Sequence, residues 1–539
     1  MCTPARASLM SGRWPSSTNF ADTQITQWST NGLPLRFDLM PSKLQEFGYA
    51  TVGLGKWNLG HCNEAYLPWE RGFDHFVGYF SQGVDYYSHE TSTYTTPDGD
   101  TASLYDFMEG YSASYSGVEG EDASGVYEAG TQYRGNYSTT LYRDLATDAI
   151  KRHAAAMRGR DETSATSAES SPSSSALSDY DSSIRPLFMW VAFHAVHRDD
   201  SSTPPTDSFS FLQEAYLTKL EQIDHISPNR LKNAELMMPV DDAVQSIVHS
   251  LEVHQMINNS VIVVHSDNGG DTCHAAGDSA PWGSNYPLRG RKMGYFEGGV
   301  RVPAFLYSPR LLDRAVGTEY AGLIHHVDWL ATFVALAQGD SFKGVKDGAA
   351  SDDIVRYGDG VNQWGAINGA GESPRTELVL DLPQNGSFTF ARAEGSAELV
   401  EAWHGVAAVR VDDLKLIWSQ NNETWFDAEV STGTCPAYAL AAECELQDTL
   451  KSTCSWERYL FNVTADASEK HNLYNVPEYA DALAELEAFV EDLVVSKPVF
   501  DDAYSGMSGV ETRALKTTMS EAYYDAGGYV VPWGCAVME

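Results

Sequence analysis

Short apolar runs alternate with longer amphipathic stretches along much of this 539-residue chain, and the alternation limits the folds open to it. The runs at 187–193, 261–264 and 303–307 have the length and the β-branched or aromatic content of buried strands. Apolar side chains at helical spacing occur at 142–157, 241–256 and 326–337. Strands that alternate with helices in this way predict an α/β fold.

The pattern changes after Pro374, where short strands are followed by one long helix. The predicted elements are strands at 377–382, 405–411 and 414–418 and a helix at 478–495. A chain of this length also exceeds one ordinary hydrophobic core. We therefore expect a large domain at 1–375 and a smaller α+β domain at 376–539, with an antiparallel sheet and a packed helix.

Two stretches lack a clear strand or helix pattern. Residues 83–135 are dense in Tyr, Ser, Gly and Thr, and we interpret them as long loops over one end of the sheet. Residues 158–184 are rich in Ser, Ala and Asp with almost no large apolar side chain, which predicts a disordered surface insertion.

The charge balance excludes whole classes of partner. With 36 Lys and Arg against 74 Asp and Glu, the formal net charge is -38. Nucleic acids and anionic membrane surfaces are bound by clustered cations, so we expect neither as a partner. No run of 18 or more apolar residues occurs, so no membrane span is predicted. A polyanionic substrate would need salt screening or a locally cationic pocket.

The N-terminal segment has the features of a reactive site. Residues 5–11 are good helix formers, Gly12 is a plausible C-cap, and Pro15 stops the helix. Cys2 would then lie just before a short helix, where unpaired N–H groups and positive potential attract an anion. The alternative is that Cys2 is an ordinary small residue near a frayed terminus.

Five sequence motifs carry a family resemblance. They are a C-x-P-x-R pattern at 2–6, a G-Y-x-T-x-x-x-G-K-W pattern at 48–57, A-V-H at 195–197, S-D-N-G-G at 266–270, and a lysine motif at 287–292 followed by E-G-G-V-R. In this order they resemble the type I sulfatases of the alkaline phosphatase superfamily. Residues 72–74 and 85–90 are most similar to the arylsulfatase B group, the N-acetylgalactosamine-4-sulfatase-like enzymes. The resemblance implies an alkaline-phosphatase-like α/β/α sandwich.

The resemblance implies a sulfuric ester hydrolase that cleaves aryl sulfates or sulfated sugars. A formylglycine-generating enzyme would oxidise Cys2 to formylglycine, whose hydrated aldehyde attacks sulfur. Calcium would take oxygen ligands from Asp267, Asn268 and the hydrated residue 2. Arg6 would hold that residue and offset its charge. In isolation, Asp267 and Asn268 could form an Asx-rich turn after a strand, which is commoner in general than a metal site.

Three more side chains receive roles from the resemblance. Lys56 and Lys292 would grip the sulfate oxygens, and His197 would bind sulfate or protonate the departing alkoxide. Away from these motifs, the two lysines would be read as solvated surface residues and the histidine as a hydrogen-bonding core residue. Glycines beside both lysines permit the close approach of a ligand.

This chain departs from the family pattern in two places. The family has two adjacent aspartates, further calcium ligands, on a first strand upstream of the cysteine. That strand is absent here, so we expect an N-terminally truncated member that binds calcium weakly. The family histidine after K-W is replaced by Asn58, which can hydrogen-bond the hydrated residue 2 but cannot shuttle a proton, unless His61 takes over that role. We expect Asn58→His to raise turnover in a full-length protein.

Two other functions remain open from sequence. A catalytically silent sulfatase-like protein that binds sulfated glycans would fit the missing aspartates and Asn58. A phosphomonoesterase or phosphodiesterase of the same superfamily is disfavoured by the cysteine at position 2, because those enzymes use Ser or Thr and more metal ligands. Phosphatase activity that survives Cys2→Ser would favour that third reading.

Sequons and cysteines indicate the secretory pathway. N-x-S/T sequons occur at Asn136, Asn258, Asn385, Asn422 and Asn462. Besides Cys2 the cysteines are Cys62, Cys273, Cys435, Cys444, Cys454 and Cys535. Six allow up to three disulfides with undetermined pairing, or six free thiols in a cytosolic protein. No signal peptide is recognisable in this chain, and we expect a secreted, lysosomal or endomembrane location for its full-length parent.

Overall fold

The structure is a computed structural model, and it describes most of the chain. The described residues are 1–18, 20–21, 24–96, 99–113, 127–165, 185–197, 228–272, 283–312, 316–339, 356–369, 371–382, 407–420, 457–496, 519–532, 534–535 and 537. Several sequence predictions lie outside them: residues 166–184, Asn385, Asn422, Cys273, Cys435, Cys444 and Cys454.

Helices and strands are labelled in chain order. The α-helices are α1 (Cys2–Ser11), α2 (Met40–Glu46), α3 (Ser138–Ala165), α4 (Pro228–Val253), α5 (Glu297–Val300), α6 (Asp328–Gln338), α7 (Trp364–Ile367) and α8 (Ala480–Ser496). The strands are β1 (Ala50–Lys56), β2 (His75–Tyr79), β3 (Glu90–Thr95), β4 (Thr101–Tyr105), β5 (Met108–Tyr111), β6 (Tyr127–Ala129), β7 (Leu187–Ala192), β8 (Ile262–His265), β9 (Ala304–Tyr307), β10 (Arg356–Tyr357), β11 (Gly360–Val361), β12 (Glu377–Asp381), β13 (Ala407–Val411), β14 (Leu414–Gln420) and β15 (Glu457–Asn462).

The largest sheet has the order β6-β5-β2-β1-β7. β1 lies between β2 and β7 and pairs in parallel with both, while β5 and β6 continue the sheet in antiparallel fashion. Because β1 and β7 run in parallel, the residues that follow Lys56 and Ala192 emerge at the same edge of the sheet. This edge is where the candidate site lies.

Helices cover both faces of this sheet, and the predicted α/β fold is confirmed. Side chains of β7 alternate between two cores, because successive residues of a strand point to opposite faces. Phe188 and Trp190 pack with residues of α1, α2 and α6, whereas Met189 and Val191 pack with residues of α3 and α4.

The strands β8 and β9 form at the predicted places but are less buried than predicted. They pair with each other in antiparallel fashion as a separate two-stranded sheet. On β9, Phe305 is 56% exposed and Tyr307 is 42% exposed. The prediction of a buried strand at 303–307 is therefore wrong, because this face of β9 is not covered.

Two of the predicted irregular stretches contain regular structure. Within 83–135 the chain forms β3 to β6, and β5 and β6 extend the main sheet. Tyr and Thr favour strands, so their density here was a strand signal that the prediction of loops overlooked. The predicted disordered insertion at 158–184 is wrong for its first part, because α3 continues to Ala165.

A second sheet, β12-β13-β14-β15, is antiparallel and carries the long helix α8 on one face. Leu486, Val490 and Leu493 of the helix pack against Val409 and Leu416 of the sheet. The three strands and the helix predicted for this region occur within a few residues of their predicted bounds, as β12, β13, β14 and α8. The strand β15 was not predicted. Burial of these apolar side chains stabilises the packing by about 1.5–3 kcal/mol each.

Residues 519–532 and 534–535, which lie within the predicted smaller domain, pack on the first unit instead. Tyr523 is fully buried in the core that contains α1 and α2. Tyr529 forms an isolated bridge to Tyr105, and Cys535 is disulfide-bonded to Cys62. The described part of this C-terminal segment therefore contacts the larger unit. Among the helices that the structure describes, none is long and apolar enough to cross a membrane.

Candidate active site

Helix α1 begins earlier than the helix predicted at 5–11, so Cys2 lies in its first turn rather than just before it. The thiol is free and Cys2 is 2% exposed. The helix ends at Gly12, whose φ of 64° is in the left-handed region that glycine adopts without strain. The N-terminal end of a helix carries unpaired N–H groups and positive potential, so residue 2 lies where an anion is favoured.

Arg6 joins three parts of the site. Its Nε and Nη2 donate to Oδ2 of Asp267 at 3.2 and 3.1 Å, and its Nη1 donates to the carbonyl of Lys56 at 2.9 Å. The guanidinium also lies 5.6 Å from the ring centre of Trp190. The fixed fork of the guanidinium thus ties α1 to the ends of β1 and β8.

Lys56 is the last residue of β1, and its ammonium points into the site. Lys56 is 3% exposed, and its Nζ donates to the carbonyl of Gln82 at 2.5 Å. That carbonyl belongs to the loop that follows the neighbouring strand β2. Burial lowers the pKa of Lys56 below its ordinary value, with Arg6 and Lys292 acting in the same direction.

His197 follows β7 and is held through its backbone. Its N–H donates to the carbonyl of His194 at 2.9 Å, and its own carbonyl accepts from the Tyr86 hydroxyl at 2.8 Å. Its Nε2 lies 3.4 Å from Nζ of Lys292. The structure therefore brings a histidine and a lysine from distant parts of the chain within contact of one another.

The loops that carry Asp267 and Lys292 are bound to each other. The Asn285 side chain accepts from the N–H of Gly270 at 2.8 Å and donates to its carbonyl at 2.9 Å. The N–H of Lys292 donates to the same carbonyl at 3.0 Å. At Gly269 an added Cβ would lie 1.8 Å from the carbonyl of the α5 residue Gly298, so only glycine fits this approach.

The charges around residue 2 act on one another. Burial and Asp267 oppose ionisation of the Cys2 thiol, but Lys56, Lys292 and Arg6 outweigh them and lower its pKa. Burial alone would likewise raise the pKa of Asp267, yet the same three cations hold it well below its ordinary range. In a protein with a net charge of -38, this is a locally cationic pocket of the kind an anionic substrate needs.

Asp267 and Asn268, the two calcium ligands predicted from the sequence, lie together just after β8. Oδ1 of Asn268 is buried without a hydrogen-bond partner among the described residues, which suits a cation ligand. Within the described part of the chain, however, no three His, Cys, Asp or Glu side chains form a group that could hold a metal ion. The two side chains fit calcium, which takes six to eight oxygens, but only as part of a larger ligand set.

The model of the sulfatase family matches residues 1–339. This chain belongs to the sulfatase family.

Known proteins agree with this assignment. Arylsulfatase J of Mus musculus is 29% identical over 477 residues, which cover 88% of this sulfatase and 65% of the mouse protein. The chain thus spans just under two thirds of that relative. Ps i-CgsB, solved in complex with k-i-k-neocarrahexaose, has a TM-score of 0.57 at 20% identity over 98% of this chain and 88% of its own.

The PsFucS1 sulfatase from Pseudoalteromonas sp. gives a TM-score of 0.56 at 19% identity, covering 93% of this chain and 82% of its own. At such identities, the two structures show that this sulfatase shares their fold.

The contacts of Asn58 differ from those expected from the sequence. Its Oδ1 accepts from the Thr3 hydroxyl at 2.7 Å and from Nε2 of Gln24 at 2.9 Å, and its Nδ2 donates to the carbonyl of Ile25 at 2.6 Å. The N–H of Ile25 in turn donates to the Thr3 hydroxyl at 2.9 Å. Asn58 is fully buried, so in this sulfatase its amide holds α1 and residues 24–25 together rather than facing a reacting group.

His61, the proposed substitute, is also engaged elsewhere. The ring is fully buried, with Nε2 at 3.3 Å from the carbonyl of Gln27 and its face stacked on Phe80. Burial lowers the pKa of His61 to about 4, so the ring is neutral at physiological pH. Its contacts thus give no support to a role in proton transfer.

Some supporting residues were not found from sequence. His194 stacks on Tyr86 with ring centres 4.3 Å apart, and Asn285 hydrogen-bonds to Gly270 and Gly290, in the loops that carry Asp267 and Lys292. The sequence gives no sign of these contacts, because each contact joins residues from different segments of the chain. The Asn285 role could have been suspected only from its place just before the lysine motif.

The second sheet also supports the site of this sulfatase. Lys415 of β14 is fully buried and pairs with Glu297 and Glu469, each at 2.9 Å. Glu297 is the first residue of α5, whose glycines contact Gly269. Arg289 donates to the carbonyl of Glu469 at 3.2 Å. The buried ion group therefore anchors the loop that carries Lys292 to the second sheet.

Proposed function

We propose that this protein hydrolyses sulfate monoesters, with residue 2 as the nucleophile after oxidation to formylglycine and with calcium as the metal. The observation that carries the proposal is the convergence of Arg6, Lys56 and Lys292 on Cys2 at the start of α1. These groups supply the cations that a transferring sulfuryl group requires. When formylglycine is present, its hydrated aldehyde supplies a hydroxyl that attacks sulfur.

The remaining side chains bind the sulfate group, transfer a proton or orient residue 2. Lys56 and Lys292 bind the sulfate oxygens and neutralise their charge. His197, at 3.4 Å from Lys292, donates a proton to the oxygen of the departing alcohol. Arg6 orients residue 2 through the contacts that link α1 to Asp267. Lys292 and His197 are half-buried, so the ester enters from their side.

Calcium would be held by Asp267 and Asn268, together with residue 2. It supplies Lewis-acid stabilisation of charge on the sulfate oxygens. Its remaining ligands would come from water, from the substrate or from parts of the protein beyond these two side chains. We expect calcium affinity to fall when Asn268 is replaced by Ala, because the otherwise unpaired Oδ1 is lost.

The substrate class is an aryl sulfate or a sulfated sugar. The structural neighbour Ps i-CgsB was solved with an oligosaccharide, and a glycan substrate for this chain would be consistent with that. The locally cationic pocket offsets the acidic surface at short range, so binding of a sulfated glycan should tolerate moderate salt better than a purely surface contact would.

We further propose that the full-length parent passes through the secretory pathway, secreted or retained in the lysosomal or endomembrane lumen. The Cys62–Cys535 disulfide supports an oxidising compartment. Asn136 and Asn258, both in sequons, are exposed and accessible to glycosylation. A formylglycine-generating enzyme in the same compartment would be its processing partner.

The experiment is hydrolysis of 4-nitrocatechol sulfate by protein secreted from a eukaryotic host. We expect turnover in the wild type, and a loss of at least about 100-fold in Lys292→Ala and in Cys2→Ala. A matched control is Lys43→Ala, which removes a lysine from a surface ion pair with Asp38 and Glu46. Equal turnover in Lys292→Ala and Lys43→Ala would refute the proposed site.

A second function is a silent binder of sulfated glycans. It is favoured by the small number of metal-binding side chains among the described residues. This function predicts binding of a sulfated oligosaccharide that is unchanged by EDTA and releases no sulfate. Ion chromatography of the reaction mixture separates it from the hydrolase, because only the hydrolase produces free sulfate.

A further inference from the structure

The loop of residues 80–83, which follows β2 and is called here the β2 loop, contacts two of the proposed catalytic side chains. The carbonyl of Gln82 accepts from Nζ of Lys56 at 2.5 Å. At Gly83, an added Cβ would lie 3.3 Å from Cε1 and Nδ1 of His197, so the backbone passes directly beside the ring. A shift of this loop would therefore displace both groups.

Asp106, between β4 and β5, fixes the β2 loop. It is fully buried, and its two carboxylate oxygens accept from the N–H of Phe80 at 2.9 Å and of Ser81 at 2.8 Å. Its own N–H donates to the carbonyl of His89 at 3.0 Å, which places the carboxylate firmly. Hydrogen bonds to a carboxylate are about twice as strong as neutral ones.

We propose that Asp106 is a positioning residue of the sulfatase site: by accepting from two consecutive N–H groups it holds the β2 loop where Gln82 and Gly83 fix Lys56 and His197. The inference rests on the proposed function, because it assigns Lys56 and His197 to sulfate binding and proton transfer. Asp106 itself touches no reacting group and acts only through the loop.

The same strand offers a matched control at its other end. Asp74, immediately before β2, is 3% exposed and accepts from the N–H of Thr51 at 2.9 Å and from Nε2 of Gln45 at 2.8 Å. Its neighbours include Arg185 but none of the proposed catalytic side chains. Replacement of either aspartate by asparagine keeps the shape and turns one acceptor into a donor, so both should lower stability.

The experiment compares Asp106→Asn with Asp74→Asn by two measurements. Titration calorimetry measures the affinity for inorganic sulfate, which depends on Lys56 and does not require residue 2 to be oxidised. Hydrolysis of 4-nitrocatechol sulfate reports the whole site. We expect Asp106→Asn to weaken sulfate binding and to lower kcat/KM by about tenfold each. Asp74→Asn should lower the thermal midpoint by a similar amount, with both functional values within about twofold of wild type.

The outcomes separate this inference from the proposed function. Equal sulfate affinity and kcat/KM in the two variants would overturn the role of Asp106 and leave the sulfatase proposal intact. A wild type that neither binds sulfate nor releases it would overturn both.

If Asp106→Asn fails to fold, Gly83→Ala tests the same loop. Its methyl group would crowd the His197 ring at 3.3 Å without removing a hydrogen bond. We expect kcat to fall at least about fivefold while sulfate affinity stays near the wild-type value. Wild-type kcat in Gly83→Ala would overturn the inference.

Discussion

Replacement of Asn58 by histidine tests how the start of α1 is held. On family pattern alone this change restores an acid/base group and should raise turnover. The structure predicts the opposite, because the buried Asn58 amide makes three hydrogen bonds, to Thr3, Gln24 and Ile25. Thr3 is the neighbour of Cys2, so a disturbance here reaches the proposed nucleophile.

The size of the effect follows from the groups left without partners. A neutral imidazole has one donor and one acceptor and a different shape, so at least one of the three partners loses its hydrogen bond. A buried group left unpaired costs about 1–3 kcal/mol, so we expect a loss of about that size in the free energy of unfolding. The φ of 59° at Asn58 adds little to this loss, because both Asn and His tolerate the left-handed region.

The assay is urea unfolding followed by tryptophan fluorescence, combined with kcat for an aryl sulfate. Gln24→Ala serves as a graded control, since it removes one hydrogen bond of the same cluster and should lower stability by about 1 kcal/mol. We expect Asn58→His to be the less stable variant and to have lower turnover than wild type. A variant with unchanged stability and higher turnover would refute this reasoning and restore the catalytic interpretation of position 58.

Three further changes have defined outcomes. Arg6→Lys cannot reproduce the forked contact with Asp267 and the Lys56 carbonyl, and turnover should fall about 100-fold while circular dichroism stays unchanged. Burial lowers the pKa of Lys56, so the charged form is present below that lowered pKa and is lost as the pH rises through it. Sulfate affinity should therefore weaken at a pH below the ordinary lysine value of 10.5. The variant Lys56→Arg should abolish this loss of affinity at alkaline pH. Cys62→Ser removes the disulfide with Cys535, which joins residues 473 positions apart. The variant should have a free energy of unfolding about 2–5 kcal/mol lower than wild type in thermal scans. Dithiothreitol should remove this difference between the variant and the wild type.

Local patterns predicted much of the first unit. The run at 187–193 is the strand Leu187–Ala192, and the segment around Gly12 is the predicted helix end. Such features depend on neighbouring residues, which a sequence displays directly. The strands within 83–135 were missed because their Tyr and Thr content was taken as a loop signal, although these residues favour strands.

Contacts between distant residues could not be derived from spacing. Arg6 and Asp267 are separated by 261 positions, and only the family resemblance suggested that they meet. The engagement of Asn58 with Gln24 had no sequence signal at all, since both residues are common in loops. The assignments of Cys2, Lys56 and the other site residues to catalytic roles stay predictions until they are tested by variants.

Peptide mass spectrometry of residue 2 tests the central claim most directly. The protein should be secreted from a eukaryotic host, digested, and the peptide that contains positions 2–6 compared with a synthetic cysteine peptide. Oxidation of Cys2 to formylglycine predicts a mass lower by about 18 Da, in a preparation that also releases sulfate from an aryl sulfate. An unmodified cysteine in a preparation that releases no sulfate, from a host that converts a known sulfatase in parallel, would contradict the proposal of a working sulfatase.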